Sequence, residues 1–132
     1  MITMSELLKG VDFNSLPAEY QANGEELLHR INLIRIVWGK PMIVTSGFRS
    51  MADHLRIYAA KGITDQSKIP MKSKHLIFAA VDISDPSLEL TKLLKAEPDL
   101  LVDAALWCEE GNSNWLHAQI FPPKSNNRWF LP

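Results

Sequence analysis

An α+β domain, with a small and mainly antiparallel sheet and helices packed on one side, is the fold class this sequence predicts. Three observations lead there. Apolar residues recur at helical spacing in two segments, 27–38 and 88–94. Two runs around 43–45 and 76–84 have the length and composition of strands. Near the C-terminus ALWCEE and NWLHAQIF flank Gly111-Asn112-Ser113, the pattern of an antiparallel hairpin. Helices segregated from hairpin-connected strands make the class α+β. With 132 residues, 46% of them apolar, one domain spanning 1–132 with an ordinary core is expected.

Residues 11–22 read as irregular. The first helix is expected to start at Asn23 as N-cap, with Glu26 three residues on. Leu27, Leu28, Ile31, Ile34 and Trp38 form its apolar face, and Gly39 followed by Pro41 ends it. Ile43-Val44-Thr45 predicts a strand, turned at Ser46-Gly47. Ser50 with Asp53 caps a short helix whose apolar set is Leu55, Ile57, Tyr58 and Ala59, stopped at Gly62. Residues 62–74, polar and containing Pro70, form a loop, and LIFAAVDIS reads as a central strand. Asp85-Pro86 marks a helix start, cap then first residue, with Leu88, Leu90, Leu93 and Leu94 inside. Residues 99–106 fit helix or strand. The tail PPKSNNRWFLP reads as irregular, with Trp129 and Phe130 packing back on the body.

Composition excludes several functions. Fourteen Lys and Arg against fifteen Asp and Glu give a net charge of -1, so no broad nucleic-acid surface is expected. One cysteine, Cys108, permits no intrachain disulfide and no Cys-based zinc finger, and reads as a small buried group. No apolar run approaches the ~18 residues that span a bilayer. The opening MITMSELLKG lacks the pattern of a signal peptide. A chain made in the cytoplasm, acting elsewhere only after release or delivery, is the expectation.

Of the four histidines, His29 and His54 read as helix-surface residues, whereas His75 and His117 stand in chemically suggestive runs. His75 lies seven residues before Asp82. Unbroken strand would separate them by ~23 Å, so the chain must turn after His75 before becoming strand. Asp82 then shares a face with Ala80, and Val81 and Ile83 point the other way. On the hairpin strand Trp115, His117 and Gln119 share one face, opposite Leu116, Ala118 and Ile120. An acid and two imidazoles can thus face one cleft. A His, Asp, His set leaves one tetrahedral position free, the catalytic pattern for zinc. On spacing alone this is a weak signal. Hydrogen-bonded histidines, Asp82 as a strand-end cap or arginine partner, and Arg49 as a surface ion-pair partner are the ordinary alternatives.

Ser46-Gly47-Phe48-Arg49, then Ser73-Lys74-His75 through Ala80-Val81-Asp82, then Trp115-Leu116-His117 follow one another over residues 40–120. In that order they resemble the motifs S-G-[YF]-R, S-x-H-x-x-G-x-A-x-D and W-x-H of zinc peptidoglycan peptidases. These are the zinc D-alanyl-D-alanine carboxypeptidases and phage L-alanyl-D-glutamate endopeptidases, of the Hedgehog/DD-peptidase fold. The resemblance implies Zn2+ held by His75, Asp82 and His117, with Arg49 binding a substrate carboxylate. Ser73 and Gln119 are further substrate-binding candidates, Ser73 reading equally as a hydrogen-bond partner of the loop that carries His75 or as an ordinary loop serine.

Two positions depart from the family pattern. Its glycine after the first histidine falls on Phe78, which would be strained at positive φ, so the turn there is expected to differ. Its glutamate three residues before the last histidine falls on Asn114, which cannot exchange a proton. Glu109 and Glu110, on the facing hairpin strand, are the substitutes, Glu109 preferred. The implied activity is hydrolysis of peptide bonds in peptidoglycan stem peptides by a metal-activated water, with a glutamate moving the proton. A phage-type monomer, endolysin-like or virion-associated, is expected. The alternative is a non-catalytic phage structural or binding protein that keeps the fold.

Overall fold

The structure, a computed structural model, describes residues 1–132. Its first helix, α1 (Met4–Leu8), carries no periodic signal and is marked by its cap alone. The Thr3 hydroxyl accepts from the Glu6 amide while the Glu6 carboxylate accepts from the Thr3 amide. It buries Leu7 and Leu8.

The long helix α2 (Ala18–Trp38) begins at Ala18, behind Pro17, and not after Asn23. Asn23 is buried inside the helix, where its side-chain amide donates to the Ile77 carbonyl at 2.9 Å. That tertiary bond removes it from capping. The C-terminal end falls at Gly39 as expected.

Strand β1 (Val44–Ser46) leads to α3 (Met51–Ala60), capped by the Ser50 hydroxyl on the Asp53 amide. The buried residue of α3 is His54, which corrects its reading as a surface residue; Ala59 is exposed. A 3-10 turn occupies Lys74–Ile77, so the strand expected over 76–84 is confined to β2 (Ala80–Ser84).

Between them Phe78 sits in the left-handed region, at φ 62° and ψ 37°. The phenylalanine thus occupies the positive-φ position that is strained for its type. Strain of this kind costs about 1–2 kcal/mol for an L-residue. Full burial of the ring offsets it, and a glycine on the neighbouring helix makes the room. At Gly24 of α2 a Cβ would overlap the Phe78 ring.

Helix α4 (Glu89–Ala96) begins three residues later than Pro86. Asp85 caps it nonetheless from a distance, its carboxylate accepting from the Leu90 and Thr91 amides at 3.1 and 2.9 Å. The segment that fitted either structure forms α5 (Asp99–Ala104).

The hairpin strands are β3 (Trp107–Glu109) and β4 (Trp115–Gln119), antiparallel, with Cys108 opposite Ala118. The tail is not wholly irregular: β5 (Trp129–Phe130) runs parallel to β3. The Cys108 amide donates to the Arg128 carbonyl and the Glu110 amide to the Phe130 carbonyl. The five-stranded sheet, in order β1-β2-β4-β3-β5, is consequently mixed, with one parallel pairing at its edge.

On one face of the sheet Val81, Ile83, Leu116 and Ala118 join Leu27 and Ile31 of α2, Leu94 of α4 and Leu101 of α5 in a core cluster of 21 buried residues. The opposite face carries Asp82, His117 and Gln119 and lines a cleft, which α3 borders through Ile57 and Tyr58. Alternation along β2 and β4 makes this division. No helix is long and apolar enough to cross a membrane.

Candidate metal centre

Sheet register brings the first two groups together. The antiparallel ladder sets Asp82 of β2 directly opposite His117 of β4, and such cross-strand partners have Cβ atoms about 5 Å apart. The third group comes from the turn before β2. The Ser73 hydroxyl accepts from the His75 amide at 3.3 Å, which starts the 3-10 turn, and left-handed Phe78 returns the chain to the sheet. The Gly47 segment docks alongside, with the Arg49 amide donating to the His75 carbonyl at 3.1 Å. Glycine is required at 47 because a Cβ there would overlap the Leu7 carbonyl.

The result is a buried triad. His75 Nε2 lies 3.3 Å and His117 Nδ1 3.0 Å from the same oxygen, Asp82 Oδ1. One ligand atom from each of the three residues falls within 4.8 Å of the others, and the residues are only 3%, 8% and 7% exposed in chain order.

Hydrogen-bond accounting decides what the triad fits. His75 Nδ1 is 2.7 Å from the Gly47 carbonyl, which can only accept, so Nδ1 carries the proton and Nε2 presents a lone pair. The Gln119 amide nitrogen donates to the Phe121 carbonyl at 2.8 Å, which turns its oxygen towards His117 Nε2 at 3.0 Å. His117 therefore donates from Nε2 and presents a lone pair at Nδ1. Two lone pairs and a carboxylate oxygen then face one another, an arrangement that repels unless positive charge lies between them. Protons or a metal cation can supply it. A carbonyl or amide oxygen fixing the far nitrogen of each imidazole is also the support that metal-ligating histidines require. The residues fit a divalent cation bound by two nitrogens and one oxygen.

Ionisation shows the same tension. Burial pushes the Asp82 carboxyl up. When protons on His117 Nδ1 and His75 Nε2 supply the positive charge, the hydrogen bonds they make to Asp82 outweigh that burial and hold the carboxyl well below the usual carboxylate range. Burial pushes His117 down, and the Asp82 hydrogen bond and charge, with Gln119 behind them, raise it overall.

The remaining expected residues separate. Arg49 lines the cleft, yet its guanidinium is held within the protein: Nε on Ser46 Oγ at 2.9 Å, Nη1 on His54 Nδ1 at 3.4 Å, Nη2 on Asp82 Oδ2 at 3.4 Å. Gln119 lines the cleft and is buried, and its bond to His117 orients that imidazole. Glu109 lines the cleft, one residue beyond the Cys108–Ala118 pair. Glu110 is turned away and pairs with Lys95 of α4. Asn114 borders the cleft. Cys108 is buried, which pushes its thiol far up and leaves it unreactive.

His54 is the residue that sequence reasoning missed. Burial lowers its pKa, and its neutral ring accepts from Arg49 and donates from Nε2 to the Pro70 carbonyl at 2.8 Å. The only sequence signal was its place four residues after the Ser50 cap.

No family model, curated protein or solved structure matches the chain, so a family assignment rests on the three motifs.

Proposed function

We propose that this chain is a zinc-dependent peptidase of peptidoglycan stem peptides, related in fold to the zinc D-alanyl-D-alanine carboxypeptidases and phage L-alanyl-D-glutamate endopeptidases. One observation carries the reading: two imidazole lone pairs and a carboxylate oxygen converge at the floor of an open cleft, with the outer nitrogens already held. His75, Asp82 and His117 would hold the ion. Zinc bound there would make a water acidic enough to ionise near neutral pH and would polarise the peptide carbonyl.

The chain's own groups do the rest. Gly47 and Gln119 keep the imidazoles oriented. The Glu109 carboxylate, which lines the cleft, would accept the proton of the attacking water and return it to the leaving amine. Arg49 neutralises the far oxygen of Asp82 and steadies the ligand, in place of the substrate-carboxylate role the family pattern implies. In this reading the protein is a phage-type monomer, endolysin-like or carried by the virion, that reaches the wall after release or delivery.

A second reading keeps the fold and drops catalysis. Asn114 in the family's glutamate position favours it, as does the Arg49–Asp82 ion pair, which gives the carboxylate a counter-ion of its own. Mass spectrometry of muropeptides after incubation with zinc-loaded protein separates the two. Cleavage lost by a factor of about 100 or more in Glu109→Gln, with zinc retained, is the expected outcome. Zinc bound without any cleavage would leave the binding reading.

A further inference from the structure

The cleft above the triad has a volume of about 970 Å³. Trp115, Phe130 and Glu109 line it from strands β3, β4 and β5; the Phe130 ring meets the His117 ring edge-on at 6.3 Å. The end of α3 and the loop before His75 also line the cleft and carry Lys61, Lys72 and Lys74. None of these lysines has a carboxylate partner among the ion pairs of the chain. Lys61 lies 5.1 Å from the Tyr58 ring centroid and Lys74 6.0 Å from that of Phe121. Tyr58 lines the cleft as well.

Charge is therefore concentrated where a ligand enters. Side chains lining the cleft comprise four cations, Arg49 and the three lysines, against two carboxylates, Asp82 and Glu109. That is +2 with histidines neutral, in a chain whose net charge is -1. Cations without counter-ions beside a concave, low-dielectric surface focus a positive potential into it. The loop is also anchored: buried His54 on α3 donates to the Pro70 carbonyl, which fastens the lysine-bearing loop to the helix. Because Ser46, His54 and Asp82 hold the Arg49 guanidinium, the unclaimed cations of the cleft are the lysines.

We propose that Lys61, Lys72 and Lys74 form an anion subsite that selects substrates by carboxylates on one side of the scissile bond. The ligand class is a peptide bearing at least two free carboxylates. This rests on the peptidase reading for the identity of the bond, while the subsite itself rests on the lysines. A neutral peptide gains nothing from these lysines, whereas each carboxylate gains a partner that salt can screen.

Isothermal titration tests it with two probes, the tetrapeptide L-Ala-γ-D-Glu-L-Lys-D-Ala and its form with the free carboxylates converted to carboxamides. Zinc-loaded Glu109→Gln protein is used so that neither is consumed, with the lysines intact or as Lys61→Gln/Lys72→Gln/Lys74→Gln. With lysines intact the free acid is expected to bind on the order of tenfold more tightly, less so at high salt, and the triple variant to abolish the difference. Zinc content and far-UV circular dichroism unchanged in the triple variant exclude misfolding, since Lys61 and Lys72 are exposed and Lys74 is half-buried. Equal binding of both peptides, binding of neither, or a preference that survives the triple variant overturns the subsite. Hydrolysis by the Glu109-intact protein is scored separately. Cleavage of both peptides at equal KM removes the subsite and leaves the peptidase, and selective binding without cleavage does the reverse.

Discussion

Asp82 Oδ1 faces two imidazole nitrogens, each left without a proton once its ring partner donates to a carbonyl or amide oxygen. The cation between them is a proton or a metal, and this sets the pH behaviour. His117 has a pKa raised in the folded protein, its burial outweighed by Asp82. In chelated protein it therefore contributes stability that is complete below its unfolded pKa of about 6.5 and is lost as pH rises through the folded value. The melting-temperature advantage of metal-free wild type over His117→Gln should shrink above about pH 6.5; an advantage constant with pH would contradict the assignment. Zinc must displace that proton, so its affinity should rise with pH over the same range. Removing the outer support has a separate signature. Gln119→Ala leaves His117 Nε2 unpartnered and should weaken zinc binding by about 10–100-fold in a competition titration with a chromophoric chelator. Unchanged affinity would show that Gln119 does not orient the ligand. His75, Asp82 and His117 were legible from motif order, and the need for a turn after His75 from strand length. Gly47 and Gln119 as their supports were not, because those bonds join segments that only the folded chain brings together.

The segment from Lys74 to Ser84 shows how an element can defy its local preference. Left-handed Phe78 costs about 1–2 kcal/mol, whereas emptying its buried site costs about 3–5 kcal/mol. Phe78→Gly should therefore destabilise the protein by roughly 2–3 kcal/mol in urea denaturation although it relieves the backbone. Gly24→Ala favours the α2 helix but overlaps the ring, and should cost about 1–3 kcal/mol. In a Phe78→Ala background most of that cost should vanish, and additive losses would show that the two positions do not share the space. Element boundaries depart from local signals where another bond or turn overrides them. Asn23 looked like a cap and is tied to Ile77; Pro86 looked like a helix start and lies in the turn before left-handed Leu88. Gly39 and Ser50, whose roles are local, stand where the sequence put them. The tail became β5 because β3 presented a free edge, a property of the sheet and not of residues 122–132.

At the scale of the whole molecule, a core on one face of the sheet supports a charged triad on the other. The α+β class followed from hydrophobic periodicity; the mixed sheet did not, since a two-residue parallel strand leaves no pattern to read. A metal held by the triad would link β2, β4 and the turn before β2, and would stabilise the native state over the unfolded chain. Zinc at about 1,000 times its dissociation constant contributes about 4 kcal/mol, which for this chain length raises the melting temperature by roughly 10 °C. Asp82→Ala should abolish the rise; a rise that persists in that variant would place the ion elsewhere. The most direct test is anomalous diffraction at the zinc edge from crystals of the zinc-loaded protein. A single strong peak within bonding distance of His75 Nε2, Asp82 Oδ1 and His117 Nδ1 is the predicted result. A triad without a peak, or zinc held by other side chains, would contradict it.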